Sequence, residues 1–206
     1  MISDEGPTKS LERTRAGHVG CRCGRAEPPA SLSSIVRLKK MALASTEAYR
    51  LEKSGWSEAD FEKMGWHDVV VHALAFDTER YELLLDIDYL FAWVDPAPPS
   101  EYFSFWLAPA TMVFRDVWEL KIEYEASLGF QLQGITRSEP RIRPHPHAEG
   151  RKEERRWTLD SNEGQISFWA TGYSLFTRKI PTQHPQQSFS LSERGGISFE
   201  RLDMPR

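Results

Sequence analysis

Four side chains around the first long apolar stretch are of the types that acid–base or metal chemistry needs: His67, Asp68, Asp86 and Asp88. An imidazole beside two carboxylates can hold a divalent cation, or form a proton-transfer pair in which the carboxylates raise the imidazole pKa. The same residues can instead solvate an open sheet face through an ordinary His–Asp contact, and catalysis would need a pocket and a positioned substrate besides. They form a candidate polar cluster, and no residue is assigned as catalytic, cofactor-binding or metal-ligating. His72 stands nearby on an apolar face, where a hydrogen-bonded core histidine is the plain reading. One slipped residue would exchange its role with that of His67.

The elements that must position this cluster follow from a period of two. Val70, His72, Leu74 and Phe76 alternate along one candidate strand, and Tyr81, Leu83, Leu85, Ile87 and Tyr89 along the next. A tight turn at Asp77-Thr78-Glu79-Arg80 sets Phe76 opposite Tyr81, which makes those residues the core side and places His67 diagonally near Asp88, with Asp86 two residues along the same face. The spacing predicts strands over 68–76, 81–93, 102–107, 111–117, 120–124, 130–136, 156–159, 165–171 and 173–178. Before them a short helix is expected after Ser57, with Asp60 completing a variant of the capping box and Gly65 ending it. The fold class is therefore mainly β with one short N-terminal helix, an antiparallel meander forming a sandwich or a curled sheet.

Other residues with chemical potential are poorly placed. Cys21 and Cys23 are the only cysteines, and two thiolates at that spacing do not complete a tetrahedral metal site. His145 and His147 sit among prolines and arginines in what composition marks as an exposed loop. No phosphate-binding glycine loop, dinucleotide fingerprint, H-E-x-x-H or G-x-S-x-G occurs. No cofactor is expected.

Aromatic residues locate the folded part, since none precedes Tyr49. The expected organisation is a disordered extension over 1–48, one mostly-β domain over 49–181 with a long loop at 137–156, and a flexible tail over 182–206. Residues 1–40 read either as the product of an upstream start or as a weakly basic arm. No membrane span or secretory signal is present, so a cytoplasmic location without membrane partners is expected. Residues 41–136 carry 17 acidic and 6 basic side chains, a net −11, a field that repels nucleic acid and steers basic partners.

Gly65-Trp66-His67-Asp68, Leu85-Asp86-Ile87-Asp88-Tyr89, Ala108-Pro109-Ala110-Thr111-Met112-Val113-Phe114 and Gly164-Gln165-Ile166-Ser167-Phe168 resemble a family of uncharacterised bacterial mostly-β proteins over about Phe61 to Pro181. The His-Asp opening, the hairpins and the strand from Met112 to Val117 are also similar to predicted immunity proteins of polymorphic-toxin systems. That resemblance implies a non-catalytic binding protein that occludes a toxin domain, often a basic nuclease. The expected function is protein binding, as an immunity-type inhibitor of a basic partner engaged through the acidic hairpin at Asp86 and Asp88 and through exposed aromatics. The residues leave two alternatives open: a metal-dependent or acid–base enzyme using His67, Asp86 and Asp88, and a structural or oligomerising module paired through the aromatic strand.

Overall fold

The structure, a computed structural model, describes residues 49–125, 129–143 and 153–202. All of them belong to one compact unit, Glu47–Arg206. The extension expected over residues 1–48, both cysteines and the pair His145 and His147 lie outside the described residues.

The alternating segments form β1 (Gly55–Ser57), β2 (Val69–Asp77), β3 (Glu82–Val94), β4 (Ser104–Arg115), β5 (Trp118–Tyr124), β6 (Phe130–Arg137), β7 (Arg141–Ile142), β8 (Glu153–Ser161), β9 (Gly164–Ala170), β10 (Gly172–Thr177) and β11 (Thr182–His184). They make one open sheet of 11 antiparallel strands in the order β1-β10-β4-β3-β2-β6-β8-β9-β5, with β11 on β4 and β7 on β8. Single-residue Thr171 joins β9 to β10, although they lie far apart in that order, and Phe114 of β4 meets Phe168 of β9 with ring centroids 4.7 Å apart. Both facts require the sheet to curl on itself. The curl encloses a core in which Trp157, Tyr173, Phe114 and Phe168 are fully buried, the large rings that contribute most to burial energy. The expected capped helix is a 3-10 turn at Glu58–Lys63, with the Ser57 amide donating to the Asp60 carboxylate at 3.0 Å. None of the described helices is long and apolar enough to cross a membrane.

Four expectations about the elements change. The strands expected at 102–107 and 111–117 are one continuous β4, running through Pro109. A proline interrupts a strand only where its missing N–H would have bonded. The Pro109 carbonyl accepts from the Arg178 amide at 2.9 Å, so that side of the residue faces the gap between β10 and β11 and no bond to β3 is lost. The long loop expected at 137–156 is shorter, because Arg141 pairs with Glu154 and Ile142 with Glu153.

The first hairpin also differs. Asp77 pairs with Glu82 and Phe76 with Leu83, because the Asp77 carboxylate closes the turn by accepting from the amides of Glu79 at 3.1 Å and Arg80 at 3.0 Å. This two-residue shift preserves which side chains share a face. A β-bulge between Val71 and Ala73 does not: it turns Val69 and Val71 into the core and sends His72 to the opposite face.

Finally, the tail expected to be flexible from residue 182 is a strap across the outer face of the sheet. Over 182–202 it contributes β11, a helical turn α1 (Leu191–Arg194) closed by Gly195 in the left-handed region, and a fully buried Arg194 side chain.

Candidate functional site

Asp86 and Asp88 occupy successive outward positions of β3, opposite the aromatic core. Their neighbours on that face are Thr111 of β4, His72 at the bulge, and the strap. The Arg194 guanidinium lies across both carboxylates: Nη1 donates to Asp86 Oδ2 at 2.5 Å, Nη2 to Asp86 Oδ1 at 2.6 Å, and Nε to Asp88 Oδ1 at 3.1 Å. Arg178 donates to Asp86 Oδ1 at 2.5 Å and to Thr111 Oγ1 at 2.7 Å. Two strap amides complete the shell, Ser198 N on Asp86 Oδ2 at 3.0 Å and Phe189 N on Asp88 Oδ2 at 2.8 Å, where His72 Nε2 also sits at 2.8 Å.

Burial alone would raise the Asp86 carboxyl, but the hydrogen bonds from Arg194, Arg178 and the Ser198 amide override it and hold the group below the ordinary aspartate value. Burial likewise pulls on Arg194, and the Asp86 and Asp88 carboxylates keep its pKa raised. All four oxygens of the two aspartates are engaged. Neither carboxylate has an oxygen free for a substrate or cation, and both side chains are fully buried. The pair is a structural lock between the sheet and its C-terminal strap.

Of the residues that the sequence grouped together, the fold unites Asp86 and Asp88 and separates the others. His67 is on the surface, its side chain 64% exposed, 2.8 Å from Asp68. Asp68 accepts from Gln131 at 3.1 Å and from Gln187 of the strap at 2.9 Å. The bulge puts His72 where the unbroken register puts His67. Among the described residues, no group of three or more His, Cys, Asp or Glu side chains could hold a metal ion. The acidic hairpin face proposed from sequence is covered, so Asp86 and Asp88 present no surface to a partner.

The division of charge along the sequence is answered in part within the chain. Arg137 pairs with Glu58 at 3.1 Å and Glu62 at 2.9 Å, Arg155 with Glu58 at 2.8 Å, Arg156 with Glu119 at 3.5 Å, and Arg201 with Glu82. Basic residues of the second half thus answer acids of the first.

A different surface remains open at the β3–β4 hairpin tip. Trp93 is 50% exposed, Phe103 44% and Tyr102 81%. Phe103 and Phe105 stand edge-on to Trp93, with centroids 5.7 and 5.0 Å away. The intervening loop carries Pro96, Pro98 and Pro99, whose fixed φ angles stiffen it. A Ser100 N–H to Ala97 carbonyl bond of 2.9 Å and a Tyr102 N–H to Ser100 Oγ bond of 3.2 Å tighten the turn. Asp95 and Glu101 flank the rings, exposed, and make no ion pair among the described residues.

Behind the tip lies a groove of about 630 Å³ between the 49–53 segment and the end of β3. Its aromatic wall is Tyr49, Trp56, Tyr89, Phe91 and Trp93, with Tyr89 and Phe91 4.8 Å apart edge-to-face. Burial pushes the Tyr89 phenol up to about 12, so it stays protonated and neutral at physiological pH. The tip was visible in the sequence as the run Tyr102-Phe103-Ser104-Phe105-Trp106; which rings are exposed depends on a second bulge, between Leu90 and Ala92.

Comparisons with protein-family models, with curated proteins and with solved structures returned no match.

Proposed function

We propose that this chain is a non-catalytic protein-binding domain that engages its partner through the aromatic tip of the β3–β4 hairpin. The observation carrying this reading is the exposure of Trp93 at the end of β3, against Phe103, and of Tyr102 and Phe103 on the proline-stiffened loop that follows. Large aromatic side chains are enriched among the residues that dominate binding energy, and a preordered loop loses little entropy on association. Exposed aromatic surface grouped at one hairpin end marks an interaction site. The saturation of Asp86 and Asp88 supports a non-catalytic role, because the residues with the best chemical credentials are consumed in holding the strap.

The immunity-type form of the reading assigns a basic toxin domain as the partner and the cytoplasm as the place of action. Asp95 and Glu101 on the same loop, without an ion pair among the described residues, favour it electrostatically. The lack of any cysteine after Cys23 leaves the domain with no need of an oxidising compartment.

The test compares the wild-type chain with Tyr102→Ala and Trp93→Ala as bait in extracts of the native cell, after circular dichroism has shown the variants folded. A protein held by wild type at low salt and lost from both variants fits the proposal. Equal retention by all three baits rejects the tip as the binding surface.

A further inference from the structure

Resting on the binding reading above, we infer that the hairpin tip recognises arginine side chains on an extended segment of the partner. Trp93, Phe103 and Tyr102 present ring surface to solvent, and Asp95 and Glu101, at the two ends of the connecting loop, carry charge without an ion-pair partner among the described residues. A guanidinium satisfies both components at once, since its plane stacks on a ring while its N–H groups reach a carboxylate. An ammonium is more strongly hydrated and lacks the plane.

This chain already uses that chemistry within itself, most closely at Arg141 and Arg137. Arg141 lies over Trp169, its central carbon 3.2 Å from the ring centroid, and donates to Glu154 at 3.1 Å. Arg137 lies 4.3 Å over Phe61 and pairs with Glu58 and Glu62. In each pair the ring and the carboxylate are filled by an arginine of the same chain. At the tip Asp95 follows Trp93 by two residues and Glu101 directly precedes Tyr102 and Phe103, and among the described residues no arginine pairs with either acid. The two acids lie on either side of Pro96, Pro98 and Pro99, and both are exposed, so each offers a carboxylate to an arginine of the partner.

The test uses the full chain and fluorescently labelled hexa-arginine and hexa-lysine peptides, with anisotropy read at low and moderate salt. Saturable binding of hexa-arginine is expected, about fivefold or more tighter than hexa-lysine, and weakened at least as much by Asp95→Asn with Glu101→Gln as by Tyr102→Ala. Tyr102→Ala serves because an 81% exposed ring can be removed without disturbing the core. Equal affinity for the two peptides, or arginine binding indifferent to every tip variant, overturns the inference. If the native-cell experiment nevertheless yields a partner that depends on the tip, the binding reading stands and only the arginine preference is lost; if the tip variants change neither, both fall.

Discussion

Replacing Arg194 with methionine should be among the most damaging substitutions in the described domain, although the residue lies in a Ser- and Gly-rich segment near the C-terminal end. The side chain is fully buried and makes three bonds to two equally buried carboxylates, with further bonds to the Ile87 carbonyl at 3.1 Å and the Gly196 carbonyl at 3.3 Å. Removing one side of a buried ion pair costs about 3–5 kcal/mol, because the charge left behind has no water to replace its partner. Against a total stability of roughly 5–15 kcal/mol, that is a large fraction. A domain of this size loses about 2–4 °C of Tm per kcal/mol, so a fall of roughly 10 °C is expected. Adding Asp88→Asn to Arg194→Met removes the carboxylate left without an arginine, since Asp86 keeps Arg178, and should restore about 1–2 kcal/mol. Urea unfolding and differential scanning calorimetry of the three proteins measure this. A loss below about 1 kcal/mol for Arg194→Met would mean that the strap is not locked to the sheet.

The same lock sets a pH dependence. The folded Asp86 carboxyl lies below its ordinary value of 3.8, so its stabilisation is present above that value and is lost as pH falls through the lower folded value. Acid titration followed by tryptophan fluorescence should therefore show strap release only below about pH 4, and Asp86→Asn should flatten that transition. At the hairpin tip, Tyr102→Ala should change stability by no more than about 0.5 kcal/mol while abolishing partner capture, a dissociation that thermal melts and binding assays read together. Trp157→Ala should cost about 3–5 kcal/mol, since its ring is fully buried against Phe114 at 5.3 Å and Tyr173 at 5.7 Å. Gly164→Ala should also destabilise: the backbone there has φ +145°, and an added Cβ would stand 2.0 Å from the Glu123 carbonyl oxygen, so a thermal melt close to that of wild type would contradict the β5–β9 register.

Much of the architecture was legible because it is written in a period of two. Leu83, Leu85, Ile87 and Tyr89 all reach the core as their alternation requires, and the Ser57–Asp60 cap is where its residue types place it. What escaped was what a bulge or a distant contact decides. Nothing local distinguishes Val71-His72-Ala73 from an unbroken strand, yet the bulge there brings His72 to Asp88, where the unbroken register puts His67. Arg194 belongs to a segment with too few apolar residues to announce a buried role, and composition alone makes such a segment a tail. A signal did exist. Two aspartates inside Leu83-Leu84-Leu85-Asp86-Ile87-Asp88-Tyr89-Leu90 are costly in a strand unless something cationic covers them, and Arg178 and Arg194 were among the few cations of the C-terminal region able to do so. The hairpin tip was visible as an aromatic run, but which of its rings are exposed rests on the bulge between Leu90 and Ala92, which the run itself does not mark.

The functional reading stands on partner docking at the β3–β4 tip. A photo-crosslinking amino acid placed at Tyr102 in the native cell tests it most directly, with Phe76 as the control site. Phe76 is 55% exposed and lies at the other end of β3, beside Leu83. A discrete crosslinked protein from position 102 and none from position 76 is the expected result. The same adduct from both positions, or one from position 76 alone, would contradict the claim.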